Sequence, residues 1–413
     1  MNQSFLSLPI AGFTTEKRAR FLFRIRKEKA RFDDVQLAAT QSHGVLSQKR
    51  YMEITGNKVV AALAGTDNFD HVEEDDFVIS LRTFEGGIER ATERGCISPA
   101  YTVLKPSPEV EPKFYQYLLK SQVFISHLQT TVTGIRDGKS VKFENFANIV
   151  VPVPDLPTQR AIADFLDRET ARIDLLIEKK QRLVDLVSPR FEALIHAARE
   201  SGEWRRFGFS ARAEQRSISK VSDKSFVPLG LYNRGRGFFR KSDTDFDDLG
   251  DSSFFFVKRG DLVFSGQFAW EGAVGFVSSQ ENDCVVSHRY PVYVGIDDVR
   301  SDYLYAYFRS HHGRFLMDNC SRGAAGRNRP LNTRLLEKEK IPIPSIELQN
   351  EVAEIVEFES NLKAIVSPSI DRLREYRSAL ITAAVTGQID VKKWAKAGAA
   401  DRNLDAVQAT MNA

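Results

Sequence analysis

The chain has few cysteines, no proline doublet, no long apolar run and little net charge, and each shortage argues against a class of protein. Cys96, Cys284 and Cys320 lie far apart and form no CxxC pair, which argues against a zinc site and a disulfide framework and fits a reducing compartment. No segment approaches the ~20 apolar residues that a membrane helix needs. The opening MNQSFLSLPIAGF is apolar over too few residues for a signal peptide and has no basic region ahead of it. A soluble, cytoplasmic protein is expected. A net charge of +3 over 413 residues does not by itself mark a nucleic-acid binder.

Catalytic signatures are missing too. Adenine methyltransferases carry an acidic residue or Asn followed by Pro-Pro and an aromatic, and the chain has no Pro-Pro. The segment TGIRDGKS from Thr133 to Ser140 imitates a phosphate-binding loop, but three residues separate Gly134 from Gly138 where the motif needs four. Pro154, Asp155, Glu178 and Lys180 suggest a nuclease set, yet several helical turns separate Asp155 from the last two. The seven histidines show no metal-ligand spacing, and His311 with His312 reads as a polar helix end. No catalytic set, cofactor or metal is expected on this chain.

What is present is ordinary globular material: 42% hydrophobic residues, 27% charged, and 29 Phe to fill cores. A chain of this length should form two or three domains. Charge is locally uneven. Between Glu16 and Phe32 stand Lys17, Arg18, Arg20, Arg24, Arg26, Lys27, Lys29 and Arg31 against Glu16 and Glu28. This run is either a solvated face or a surface for an anionic partner.

The organising feature is an internal repeat. VPVPDLPTQRAIA from Val151 matches IPIPSIELQNEVA from Ile341, pairing Pro152 with Pro342, Pro154 with Pro344, Gln159 with Gln349 and Ala163 with Ala353, an offset of 190. Upstream, SPAY ending at Tyr101 pairs with SHRY ending at Tyr290, and FYQYLLKS from Phe114 with YLYAYFRS from Tyr303, at an offset of 189. Further upstream, EEDDFVIS ending at Ser80 pairs with VKRGDLVFS ending at Ser265, each an acidic turn feeding an apolar strand.

Helical spacing follows each proline junction. Ile162, Phe165, Leu166, Ile173, Leu176, Leu183, Val187 and Leu194 step by threes and fours, as do Val352, Ile355, Val356, Leu362, Ile365, Ile370, Leu373 and Leu380. Asp155 and Ser345 stand as N-caps, Gly202 and Gly387 as stops. The narrow stripes suit an antiparallel coiled-coil pair, with kinks expected at Pro189 and Pro368. The blocks before the junctions alternate short apolar runs (FVIS, YTVL, FFFV, DLVF, GFVS, YPVYV) with glycine and acidic turns. They read as mixed sheet with short helices near Tyr117 and Tyr307. The expected architecture is α+β: globular domain 1–155, long helix 156–202, second globular domain 203–345, second long helix 346–390, and tail 391–413.

This order, with IVVPVPDLPTQRAIADFLD at the first junction and LITAAVTGQI closing the second helix, resembles the specificity subunit of type I restriction-modification systems over nearly the whole chain. Thr158 and Leu348 replace the glutamate usual before the glutamine in that family. The resemblance implies a non-catalytic DNA-binding subunit, each recognition domain reading one half of a split, asymmetric target. It also implies that the helices set the spacing and dock two methyltransferase subunits. Restriction/translocase subunits then complete the enzyme, with AdoMet, ATP and Mg on the partners. The alternatives are a stand-alone DNA-binding regulator with a coiled-coil seam, separable by size exclusion with and without a partner, and an ATPase or nuclease, separable by an activity assay.

Candidate DNA contacts precede the proline junctions: Arg136, Lys139 and Lys142 in the first repeat, and Arg322, Arg327, Asn328, Arg329 and Arg334 in the second. Arg can bridge guanine and Asn adenine with paired hydrogen bonds, whereas Lys grips phosphate, so Arg327 and Asn328 are the preferred base readers. Arg234 and Arg236, in the loop NRGRGFFRK from Asn233, form a second surface. Its counterpart in the first domain is the polar run with Ser42, His43, Lys49, Arg50 and Tyr51.

Overall fold

A computed structural model describes residues 12–13, 15–56, 68–80, 83–131, 141–218, 226–242, 253–321, 323 and 329–391. The chain forms two compact units, residues 1–179 with 368–413, and residues 180–367.

In the first unit the strands are β1 (Glu16–Arg18), β2 (Phe23–Ile25), β3 (Leu37–Thr40), β4 (Gly44–Ser47), β5 (Asp70–Val72), β6 (Phe77–Ile79), β7 (Glu89–Arg90), β8 (Gly95–Ile97), β9 (Thr102–Pro106) and β10 (Val150–Pro152). A four-stranded antiparallel sheet of order β2-β9-β6-β7 is its centre. β6 is buried at all three positions, which explains its continuous apolar run rather than an alternating one. The helices are α1 (Gln48–Thr55), α2 (Thr83–Gly86), α3 (Pro112–Leu119), α4 (Gln122–Thr131) and α5 (Phe143–Ala147). Phe23 is the hub of the core, edge-on to Phe77, Tyr115 and Phe146 at 5.3, 5.5 and 5.4 Å between ring centres. Each such ring contributes roughly 1.5–3 kcal/mol by leaving water.

The second unit repeats this plan. Its strands are β11 (Glu203–Arg206), β12 (Ala211–Glu214), β13 (Arg216–Ser217), β14 (Leu229–Leu231), β15 (Phe238–Arg240), β16 (Phe254–Phe256), β17 (Leu262–Phe264), β18 (Val274–Phe276), β19 (Val285–Ser287), β20 (Val292–Gly295) and β21 (Lys340–Ile343). The sheet order β12-β20-β17-β18 reproduces β2-β9-β6-β7. Helices α8 (Ser301–Arg309) and α9 (His311–Asn319) stand where α3 and α4 stood, and α10 (Thr333–Leu336) takes the place of α5. Phe207, Phe264 and Phe308 form the aromatic hub, with Phe264 and Phe308 centred 4.9 Å apart.

The repeat extends to buried polar detail. Asp76 takes both arms of Arg26 at 2.6 and 2.9 Å, and Asp261 takes both arms of Arg216 at 2.5 and 3.1 Å. Each carboxylate also accepts a backbone N–H of its own turn, from Glu73 and from Lys258 at 2.8 Å. The turns that feed the two central strands are thereby locked in the same way.

The junctions are duplicated just as closely. β1 pairs with β10 and β11 with β21, both antiparallel. Tyr115 donates its hydroxyl to the Pro152 carbonyl at 2.9 Å, and Tyr303 donates to Pro342. Asp155 caps the following helix through the Thr158 N–H at 2.7 Å, and the Ser345 hydroxyl accepts from the Leu348 N–H at 3.5 Å. The first spacer stretch consists of α6 (Leu156–Asp185) and α7 (Val187–Ser201), and the second is α11 (Ile346–Val385).

Proline behaves differently in the two. Leu186 keeps a helical conformation between α6 and α7, with Pro189 in the first turn of α7, where its missing N–H is not needed. Pro368 sits inside α11, which runs through it. The stripe also does more than pair helices. Ile162, Phe165, Leu166 and Ile173 join the core of the first unit, where they meet Leu373, Leu380 and Val385. Phe191 and Ile195 join the core of the second with Val352 and Val356. Arg377 grips Asp174 at 2.9 and 3.1 Å. Partners early in α11 are thus late in the first stretch, and the reverse, so the pairing is antiparallel. Gly202 and Gly387 end the helices, Gly387 at a φ of 74°.

Candidate nucleic-acid interface

Both units bring two loops together beside the last strand of the main sheet. In the second unit these are the turn of the β14–β15 hairpin and the connection from β17 to β18. Arg234 N–H donates to the Glu271 carbonyl at 2.9 Å and Gly235 N–H to Gly272 at 2.7 Å. The Asn233 side chain bonds the Glu271 carboxylate. Arg234 has a φ of 61° and Gly235 one of 63°, an unusual backbone for arginine that these bonds hold in place. A third segment joins them, since the Leu331 N–H donates to Gly266 at 2.8 Å and the Gly266 N–H to Arg289 at 2.7 Å.

The surface so formed is basic and aromatic. Arg234, Arg236, Gln267, Phe268, Arg289 and Arg314 are exposed. Arg236 stacks on Tyr232 at 5.0 Å and Arg329 on Trp270 at 5.2 Å. Stacking holds a guanidinium plane without hiding its charge. Arg329 is further fixed by Asp318 at 2.7 Å and by the Ser321 carbonyl at 3.2 Å, so it braces the surface rather than standing free of it.

In the first unit the β3–β4 turn meets the α2 turn. A side chain added at Gly86 would meet Gln41 at 2.8 Å, the counterpart of the contact between Gly272 and Arg234. Here the neighbours are Ser42 and His43, hydrogen-bonded at 2.7 Å, and Tyr51, edge-on to His43 at 6.3 Å. Lys49 and Arg50 open α1 beside them. Both are exposed, and Arg50 pairs with Glu93 at 2.9 Å. Beneath lies Glu89, which accepts from Lys120 at 2.6 and 2.7 Å. Burial pushes its carboxyl up to about 7 against the pull of Lys120.

Of the residues singled out in the sequence, Arg136, Lys139, Arg322, Arg327 and Asn328 lie outside the described residues. Arg234, Arg236 and Arg329 come together. Lys49 and Arg50 share the surface of the first unit. Lys142 does not join them: it caps α5, which packs on the 3-10 turn Ala19–Phe21 at the other edge of the sheet. Within the basic run from Lys17 to Arg31, Lys17 pairs with Glu109, Arg26 with Asp76, Lys29 with Asp70 and Arg31 with Glu28. Sequence reasoning missed Gln267, Phe268, Trp270, Arg289 and Arg314. The repeat alignment that stopped at Ser265 would have reached the first three, because FEGG from Phe84 continues to match WEGA from Trp270.

Comparison with known proteins shows what the chain is similar to. Residues 39–184 match the type I restriction modification DNA specificity domain. That stretch is similar to a DNA specificity domain. A solved structure described as the basis of complex assembly and conformational transition of the type I R-M system matches with a TM-score of 0.58 at 13% identity, over 92% of this chain and 99% of that one. The HsdS subunit from Thermoanaerobacter tengcongensis matches at 14% identity over 91% and 97% of the chains, TM-score 0.41. The type I S subunit from M. genitalium matches at 13% over 93% and 97%, TM-score 0.48. No curated protein matches the chain. The match lies in the first repeat, whose sheet order the second repeat reproduces. DNA specificity, the function expected from the resemblance, is what the matched domain is named for. Among the described residues no helix is long and apolar enough to cross a membrane.

Proposed function

We propose that the chain is the non-catalytic DNA sequence-specificity subunit of a type I restriction-modification enzyme, reading a bipartite, asymmetric target. One half-site is read by residues 1–155 and the other by 203–345. The stretches 156–202 and 346–390 hold the readers apart and dock two methyltransferase subunits, with 391–413 as a tail. Restriction/translocase subunits complete the enzyme, and AdoMet, ATP and Mg belong to these partners.

The observation that carries this reading is one scaffold with two different reading surfaces. The sheet order, aspartate locks and glutamine junctions coincide, while the loops beside the last sheet strand carry Gln41, Ser42, His43, Lys49 and Arg50 in one unit and Tyr232, Arg234, Arg236, Phe268 and Trp270 in the other. Different side chains at one position of one scaffold address different bases. In this reading Arg234, Arg236, Lys49 and Arg50 contact DNA, Arg329 braces its loop, Lys142 stands away from the contact, and Arg136, Lys139, Arg322, Arg327 and Asn328, outside the described residues, are DNA contacts proposed from the sequence. Methylome sequencing of a host with and without the gene tests it: a split adenine-methylated motif should vanish on deletion, and an unchanged methylome would refute it. AdoMet turnover by the pure chain would refute the non-catalytic assignment.

A further inference from the structure

The two units also share a surface feature at the edge of the sheet away from the reading loops. β1 leads through the 3-10 turn Ala19–Phe21 into β2, and β11 leads through Phe207–Phe209 into β12. The register is fixed by equivalent bonds: Ala19 N–H donates to Ile149 at 2.9 Å, and Phe207 N–H to Glu339 at 2.8 Å. At an offset of 188, Arg18, Phe21 and Arg24 therefore coincide with Arg206, Phe209 and Arg212, an R-x-x-F-x-x-R pattern in both repeats. Phe21 is 66% exposed and Phe209 71%. Arg24 and Arg212 are exposed on the first strand of each sheet. Arg206 lies 5.9 Å from the Phe209 ring, and Arg212 pairs with Glu214 at 2.8 Å.

A single exposed phenylalanine needs no explanation. One left in water twice, at one register and with the same flanking arginines, does. β2 and β12 are the edge strands opposite β7 and β18, and the reading loops lie by β7 and β18. What reads two different half-sites must differ between the repeats, whereas what engages two copies of one partner must be alike in both. We propose that Phe21 and Phe209, each between its two arginines, are equivalent anchors for two copies of one protein partner, the methyltransferase subunit. Each anchor enters an apolar socket with an acidic rim, in the manner of an aromatic hot spot ringed by polar contacts. This rests on the function proposed above and adds a contact on the recognition domains themselves.

The test is titration of the full chain with the type I methyltransferase subunit of the same host, followed by sedimentation velocity, for wild type, Phe21→Ala, Phe209→Ala and the double variant. DNA affinity of each isolated chain is measured alongside across a salt series. Both side chains are exposed, so unfolding midpoints should match wild type. The proposal expects wild type to bind two copies, each single variant to bind one copy at least ~10-fold more weakly, the double variant to weaken both, and DNA affinity to stay put. Two copies bound at wild-type affinity by every variant would overturn it. So would unchanged assembly with weaker, less salt-dependent DNA binding, which would make the surface a phosphate grip. A wild-type chain that binds no methyltransferase subunit would overturn the function proposed above, and this proposal with it.

Discussion

Replacing Gln159 by glutamate should damage the first unit far more than its near-identical shape suggests. Gln159 is fully buried and donates to the Pro154 and Glu109 carbonyls at 2.7 and 2.9 Å while accepting from the Glu111 N–H at 2.8 Å. A glutamate keeps the acceptor and loses both donors. Two buried carbonyls left unpaired cost about 1–3 kcal/mol each, so Gln159→Glu should lower stability by about 4 kcal/mol at pH 7. A buried carboxylate facing two carbonyl oxygens is also disfavoured in its charged form, which raises its folded-state pKa above the unfolded value. The penalty is therefore full above that raised value and shrinks as pH falls through it, because the protonated acid carries no charge and can donate one bond. Urea unfolding of variant and wild type at pH 7 and pH 5 measures this. A variant within about 1 kcal/mol of wild type at pH 7, or a gap that widens toward pH 5, refutes the reasoning. Gln349→Glu should behave alike, since Gln349 donates to Pro344 and Asp298 at 3.0 Å and accepts from Arg300 at 2.9 Å.

Three further outcomes follow from other sites. Lys120→Met strands the buried Glu89 carboxylate, so it should cost roughly 3–5 kcal/mol at pH 8; because the carboxyl is pushed up to about 7 by burial, the loss should diminish by pH 5, as paired urea titrations would show. Arg236→Ala, at an exposed side chain stacked on Tyr232, should weaken DNA binding about 10-fold and lower the salt slope by about one charge with the unfolding midpoint unchanged, as salt-titrated fluorescence anisotropy would reveal. Inserting seven residues into both α6 and α11 keeps the apolar seam in phase and adds about 10 Å, so methylation mapping should find the target's spacer lengthened by up to about three base pairs.

What was legible in the sequence was what local chemistry repeats. The proline junctions, the caps at Asp155 and Ser345 and the glycine stops act through neighbouring residues, and the pairing of Gln159 with Gln349 marked a site whose three hydrogen bonds proved identical. The helical stripe and its pairing with the other helix were visible too, but its share in the domain cores was not, because Ile162 or Phe165 looks the same against a domain core as against another helix. The different fates of Pro189 and Pro368 were hidden for a related reason: where a helix restarts depends on what packs against it. The sheet order was out of reach, since strands of two to five residues carry too little alternation to fix pairing. The proposed reading surface was half legible. Arg234 and Arg236 stand out in a glycine-rich loop, whereas Trp270 and Phe268 look like core residues until the hairpin turn is seen lying against them.

The most direct test of the account exchanges residues 203–345 for the corresponding block of a related specificity chain, followed by methylation mapping in a host that supplies the methyltransferase subunits. Two independent readers on one scaffold predict that one half of the split target changes while the other half and the spacing stay as they were. A target altered in both halves, or one continuous motif, would contradict it.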